Sequence, residues 1–289
     1  MAPPAKPDFL TRSKEHQLAL GAVGAAEIMA AGRKWDLGAV LSGGGSLIFP
    51  HATLTVCGHQ IAAVVHACLD SGADTVLALG VLHALTPELQ DARKRIAEGG
   101  NPGSEPSWGI QGPGAASGQE DWLDEFSLSH FQFLWDYEIR RRGIRQPPRL
   151  ILRYPNLAAG HPELLPGFDE VDEIARSAVV VATMDPVHHG IGYGDPPETA
   201  LAPESGGIKL AHQHISKGMA LICDGSYEAY VDHCTSCRSD GRDVGQLLAK
   251  LRHPSHFRIL DLIADDMTGP YNSPPPTWVA GALIALSKT

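Results

Sequence analysis

The sequence predicts an α/β fold, a single-domain sandwich with a central, mostly parallel or mixed sheet flanked by helices. Short apolar runs that read as buried strands recur along the chain, at Thr75–Leu79, Arg149–Tyr154 and Ala178–Thr183. Segments with apolar residues at helical spacing lie between them, and such alternation is the pattern of a sheet covered by helices. No internal repeat and no linker with a shift in composition divides the 289 residues. One domain over 1–289 is therefore expected, with 1–12 as a flexible N-terminal segment.

The elements follow in order. The Ala-rich stretch 13–33 has few breakers and predicts an N-terminal helix. Leu37–Ser42 is a short apolar run and predicts a buried strand leading into Gly43-Gly44-Gly45. The triple glycine lacks the Gly-Lys-Ser/Thr ending of a phosphate loop, and predicts a tight turn or close backbone approach near His51. Ile61, Val64, Val65, Cys68 and Leu69 keep helical spacing over 59–72, with Gly72 as the stop. The strand Thr75–Leu79 ends at Gly80-Val-Leu-His83. A helix over 86–97 precedes a Gly-, Pro- and Ser-rich loop from Gly99 to Gly118, a length that often marks a functional loop such as a lid. A helical pattern covers 121–142, and the strands Arg149–Tyr154 and Ala178–Thr183 follow. After a second Gly/Pro loop at Gly190–Gly207, helices are predicted over 208–222, 225–233, 243–252 and 255–266. Trp278–Leu286 closes the chain as a strand or a buried helix.

Composition narrows the function. Hydrophobic residues make up 43% and charged residues 19%, as in ordinary globular proteins. A net charge of -10 repels phosphate backbones and argues against nucleic acid as a partner. No apolar stretch is long enough to span a bilayer, and Met1-Ala-Pro-Pro-Ala-Lys-Pro7 has no apolar signal region, so a cytoplasmic protein without membrane contact is expected. The five cysteines form no secreted disulfide framework.

Of the 14 histidines, three share one context: His51, His83 and His188 each follow a strand candidate. Loops leaving the carboxyl ends of parallel strands gather on one edge of a sheet, so these imidazoles converge if the strands are parallel. Imidazole ligates zinc, iron, copper and nickel. A third ligand could come from Asp185, Cys234, Cys237 or Asp240. Asp185 alternatively caps a turn at the strand end. Of the neighbours His188 and His189, only one can easily enter a given site. His233-Cys234-Thr-Ser-Cys237 contains a Cys-x-x-Cys, which reads as loop thiols first, a redox pair second and a zinc site third, because no second pair is near. His212-Gln-His214 lies in a predicted helix, where residues two apart do not face each other. No Gly-x-Ser-x-Gly elbow supports serine hydrolysis. His130, Trp135, Tyr137 and Tyr193 could shape a pocket. Packing is the preferred role for Trp135, and His130 and Tyr193 stay open.

Several of these segments, taken in order, resemble the Memo family. Pro50-His51-Ala52 with Cys57-Gly58 and an Ala-rich helix is similar to its Pro-His-Ala-Gly segment. Leu79-Gly-Val-Leu-His83 is similar to Leu-Gly-Pro-x-His, Asp124-Glu125-Phe-Ser-Leu128 to Glu-His-Ser-Leu, and Thr183-Met-Asp185-Pro-Val-His188-His-Gly190 to Ser-Ser-Asp-x-x-His-x-Gly. The resemblance runs from about residue 45 to residue 285. It implies the fold of the class III extradiol ring-cleaving dioxygenases, in which two histidines and a carboxylate hold Fe(II) and a further histidine is the acid–base group. It makes His51 and His83 metal ligands and His188 the acid–base residue. Three positions depart from the pattern. Phe126 stands where the family has histidine, and Thr53 where it has glycine. The Cys-Gly-Arg segment that carries the third ligand in Memo proteins is Ser239-Asp240-Gly241-Arg242. Matching Gly-Arg puts Asp240 on the ligand, whereas matching the following helix puts Ser239 there, with Cys237 two residues away.

Asp240 is favoured, because two histidines and one carboxylate with open positions suit non-haem Fe(II). The expectation is a non-haem Fe(II) dioxygenase acting with O2 on a small, metal-chelating aromatic or heteroaromatic substrate, catechol-like or aminophenol-like. Copper and zinc are the alternative metals. Asp185, His189, Tyr193, His130 and Cys237 are expected around the pocket. The alternatives are a non-catalytic Memo-like protein that binds iron, copper or a peptide, and a zinc hydrolase on the same ligands. A homodimer is compatible with such a fold.

Overall fold

The computed structural model describes residues 9–288. Of the segment expected to be flexible, 1–8 lie outside the described residues, and 9–12 already belong to the first helix, α1 (Phe9–Gly32). Four short strands, β1 (Ser46–Phe49), β2 (Thr75–Leu79), β4 (Arg149–Asn156) and β5 (Val179–Thr183), form the parallel centre of the sheet in the order β4-β2-β5-β1. Antiparallel strands extend it. β3 (Gly109–Gln111), inside the long first loop, pairs with β4. β8 (Thr277–Ser287) pairs with β1, β6 (Val187–Gly190) and β7 (His256–Asp266). The fold is thus an α/β sandwich around a mixed sheet.

Alternate residues of each strand face opposite sides, so every buried strand feeds two cores. Leu47, Phe49, Val76, Ala78, Val179 and Val181 face one side. There α1, α3 (Leu54–Asp70) and α5 (Ser129–Arg142) cover them, with Ile61, Val65 and Phe131 fully buried. Ile48, Leu77, Val180 and Ala182 face the other side, covered by α6 (Phe168–Ser177), α7 (Gly207–Cys223), α8 (Tyr227–Cys237) and α9 (Arg242–Arg252). Three short elements, α2 (Gly38–Ser42), α4 (Pro87–Ala97) and α10 (Thr268–Tyr271), complete the description. Among the described residues, no helix is long and apolar enough to cross a membrane.

Several local expectations are corrected. Leu37–Ser42 is not a strand: α2 occupies it, with Gly38 and Leu41 buried and the Ser42 hydroxyl donating to the Gly38 carbonyl at 3.0 Å. A six-residue apolar run has no period that separates the two choices. The triple glycine opens β1 at the end away from His51, and a Cβ on Gly45 would meet the Leu286 carbonyl at 2.5 Å. The helix expected over 121–142 starts only at Ser129, because the Glu125 carboxylate accepts the backbone N–H of Phe126 and Ser127 and holds a turn there. Residues 168–177, left unassigned by their pattern, form α6.

The largest correction is 256–266, expected as a helix and found as strand β7. Its pairing with β8 shifts register between Ile259 and Asp261. Phe257 and Ile259 pack on one core before the shift, and Leu262 and Ala264 on the same core after it. The bulge reverses the parity of the apolar residues, and the resulting spacing imitates a helix. Trp278–Leu286 resolves to strand, within β8.

Candidate metal centre

The parallel strands β1, β2 and β5 end on one edge of the sheet. His51 follows β1 by two residues, His83 follows β2 by four and Asp185 follows β5 by two, so the chain turns at that edge present all three to one place. His188 arrives differently: it lies within β6, antiparallel to β8, rather than in a loop after β5. Neighbours on a strand point to opposite faces, and this sorts the His188–His189 pair. His188 lines the site cavity. His189 turns away, its Nδ1 3.0 Å from Asp195 Oδ2 and its Nε2 accepting the Leu201 N–H at 2.9 Å. Asp240 comes from the turn between α8 and α9. Its Oδ1 accepts the Asp185 N–H at 2.8 Å, while the His51 N–H donates to Asp185 Oδ1 at 3.1 Å. The local turn cap expected of Asp185 is replaced by a long-range role: its carboxylate holds the His51 backbone and its own N–H holds Asp240, which links three of the site segments.

The other oxygen of Asp240 is the focus of the site. Oδ2 lies 3.1 Å from His51 Nε2, 3.7 Å from His83 Nε2 and 4.0 Å from His188 Nε2, yet it is buried without a hydrogen-bond partner. The far ring nitrogens are held. His51 Nδ1 is 3.0 Å from Thr183 Oγ1, and His83 Nδ1 is 2.9 Å from Glu125 Oε1. Glu125 also accepts the His83 backbone N–H at 2.6 Å. A carboxylate only accepts, so Nδ1 of His83 carries a proton, and in the neutral ring Nε2 would face Asp240 with a lone pair. Two acceptors facing each other need a cation between them, either a second proton on the ring or a metal ion. His51, His83 and Asp240 offer donor atoms within 4.8 Å of one another, and so do Asp185, His188 and Asp240. This is how metal-ligating histidines are arranged, with the second nitrogen anchored by an outer partner.

The ionisations express the same demand. Burial pulls the His51 and His83 imidazoles down, but Asp185 and Asp240 outweigh it for His51. Glu125 and Asp240 do so for His83, which rises to about 10. Burial pushes Asp240 up, but the three imidazoles win and hold it below the ordinary carboxylate range. Burial raises Asp185 to about 7, against the pull of His51. Burial lowers His188, so it favours the neutral form. A proton can bridge one of these pairs, whereas a metal ion answers all of them together.

A cavity of about 620 Å³ opens over the site. His130 and Tyr193 line it, as do Phe126, Met267 and Tyr271. Phe126 stacks on His83 with ring centroids 4.6 Å apart, and Tyr193 meets His188 edge-on at 4.9 Å. His130 is neutral, because burial lowers it to about 3, and its Nδ1 lies near Ser13 Oγ and Gln17 Nε2. Trp135 is core, stacked on Phe131. Cys237 does not face the site. Its buried thiol donates weakly to the Pro186 carbonyl at 3.5 Å, behind the turn that holds Asp185. Cys234 and Cys237 belong to α8 and are not loop thiols.

Sequence reasoning missed four contributors. Glu125 braces His83 across 42 residues, and Thr183 anchors His51. Arg12, Ser13, Glu15 and His16 of α1 roof the cavity, and Asp265 and Asp266 sit at its wall. Glu125 and Thr183 both stand inside Memo-like segments, which was the available signal. Nothing local marks the others. No family model matches the chain, and no curated protein matches it.

Proposed function

We propose that the protein is a non-haem Fe(II) dioxygenase in which His51, His83 and Asp240 hold the metal. One observation carries the reading: the buried, unpartnered Oδ2 of Asp240 faces three imidazole Nε2 atoms within 4.0 Å. Two histidines and a carboxylate with positions left open is the donor set of iron(II) oxygenases. Iron(II) held there would supply O2 activation beside a chelating substrate. The chain's own residues do the rest. Phe126, Met267, Tyr193 and Tyr271 offer apolar and aromatic walls to a planar ring, in a cavity within the size range of small-molecule sites. His188 takes a proton from the substrate hydroxyl at its Nε2 and later returns it, a role that suits imidazole because its ordinary pKa lies near neutrality. The substrate class is a small catechol-like or aminophenol-like compound. All four Memo-like segments deliver a residue to this one cavity or its braces, namely His51, His83, Glu125 and His188, which supports kinship with that family.

A zinc hydrolase is the second reading. It is favoured by Asp185, whose Oδ2 lies 3.6 Å from His51 Nε2 and could serve as a base. One experiment tests the first reading. The protein is loaded with Fe(II) without oxygen, nitric oxide is added and the electron paramagnetic resonance spectrum is recorded. The dioxygenase reading expects a high-spin iron–nitrosyl signal that His51→Ala or His83→Ala abolishes. No signal, or one that both variants leave unaltered, overturns it.

A further inference from the structure

The Cys-x-x-Cys segment takes no part in the site above, yet its surroundings are those of a second centre. Cys237 and His233 lie four apart on α8 and so share a helix face. α7 packs against that face and brings His214. The donor atoms of His214, His233 and Cys237 lie within 4.8 Å of one another, and the two rings stand 5.5 Å apart. His233 is 5% exposed. Its Nε2 faces the His214 carbonyl at 2.8 Å and therefore donates to it, while its Nδ1 is buried with no partner. A ring with one nitrogen tied to a backbone carbonyl and the other left as a bare acceptor is the posture of a metal-ligating histidine. A gap of about 10 Å³ opens here, bordered by the same three residues together with Cys234, Met184 and Met219. It has room for one ion and none for an organic ligand.

We propose that His214, His233 and Cys237 bind a thiophilic metal ion of the zinc–copper class. Two imidazoles and a thiolate are a preferred set for both metals, and the sulfur atoms of Cys234, Met184 and Met219 leave soft neighbours for a fourth position. With metal–nitrogen bonds of about 2.0–2.1 Å and metal–sulfur bonds of about 2.3 Å, ligand atoms sit roughly 3.3–3.8 Å apart, so side-chain shifts of about an ångström close the site. Its placement matters to the first centre. Three residues of chain lead from Cys237 to Asp240, and Met184 and Pro186 flank Asp185. An ion here would brace, from behind, both turns that carry acidic residues to the first site.

Cobalt(II) tests this directly, because only a thiolate ligand produces its sulfur-to-metal charge-transfer absorption and the first centre contains none. The full-length protein is stripped with chelator under reducing conditions and titrated with Co(II). The charge-transfer band is expected to saturate within two equivalents, because the first centre competes for cobalt, and excess Zn(II) is expected to bleach it. Cys237→Ser should abolish the band, and His51→Ala should leave it intact. If Cys237→Ser fails to fold, His214→Asn at the half-exposed position serves instead, with at least a tenfold loss of cobalt affinity. The absence of a thiolate band in the wild-type protein, or a band unchanged in both Cys237→Ser and His214→Asn, overturns the proposal.

Discussion

Among the described residues, two histidine–glutamate pairs lie inside the fold, His66–Glu138 and His83–Glu125, and only one belongs to a site. His66 and Glu138 sit between α3 and α5. Nε2 of His66 donates to the Met29 carbonyl at 2.8 Å, and its Nδ1 accepts from Arg142 at 2.9 Å. Glu138 accepts from Arg141 and Arg142 at 2.6–2.7 Å, and Arg33 adds a longer contact at 3.6 Å. Every polar atom of the pair has its complement. His83 and Glu125 differ at both edges: Nδ1 of His83 donates directly to the carboxylate, and its outer nitrogen points at another acid, Asp240. A buried histidine satisfied on both edges is structure. One satisfied on a single edge and facing a bare carboxylate is asking for a cation.

The sharpest way to break this comparison is to remove one member of each pair. His83→Ala should weaken iron or zinc binding more than about 100-fold, beyond the usual effect of losing an outer partner, and should also lower stability because it leaves the buried Glu125 carboxylate without its imidazole. Glu138→Gln should touch stability alone. It should cost roughly 2 kcal/mol, below the roughly 3–5 kcal/mol of a fully buried pair because Arg141 is 49% exposed, and leave metal content per folded molecule unchanged. Urea unfolding and metal analysis on the same samples read both. Metal loss in Glu138→Gln equal to that in His83→Ala would erase the distinction.

A smaller effect sharpens it. Glu125→Gln keeps an oxygen for the N–H groups of Phe126 and Ser127 but weakens the charge-assisted hold on His83 Nδ1. Metal affinity should fall by roughly 10- to 100-fold, measured by competition with a chromophoric chelator. Unchanged affinity would mean that Glu125 merely shapes the turn.

How far the sequence revealed this depends on range. The central strands were legible because a strand buried on both faces is a continuous apolar run, as at Thr75–Leu79 and Val179–Thr183. His51, His83 and His188 are expected to converge from parallel strands; His51 and His83 arrive by that route, whereas His188 reaches the site from β6, antiparallel to β8. β7 was not legible, because a single bulge inverted its alternation. The brace from Glu125 to His83 spans 42 residues, and the roof laid over the cavity by α1 depends on how α1 packs across α3 and α5. Period and spacing report neither. Asp240 shows the limit most clearly: a resemblance and donor chemistry favour it over Ser239 and Cys237, and its unpartnered oxygen among three imidazoles adds the geometry that spacing could not give.

The mildest test uses pH on the structural pair. Burial pushes the Glu138 carboxyl up, but the hydrogen bonds from Arg141 and Arg142 outweigh it and hold it at about 2, against an ordinary 4.5. Between those values the unfolded chain binds a proton that the folded protein refuses. The stabilisation is therefore complete above about pH 4.5 and is lost as pH falls toward 2. His66, lowered chiefly by burial, acts in the same direction at higher pH: its contribution is present above its ordinary 6.5 and declines as pH drops below it. Acid should thus erode this cluster's own stabilisation in two stages, while Asp185, raised to about 7, acts in the opposite direction above pH 3.8. Glu138→Gln should make the limb below pH 4.5 shallower than in the wild type without changing the slope above it, and Asp70, Glu125, Glu170 and Asp195, which are also held down, keep the remaining slope. Unfolding free energies measured from pH 7 to pH 3 decide it. An acid limb equally steep in the variant would show that the Glu138 carboxyl is not held below its ordinary value in the folded protein, and would remove the reason for calling its cluster fully satisfied.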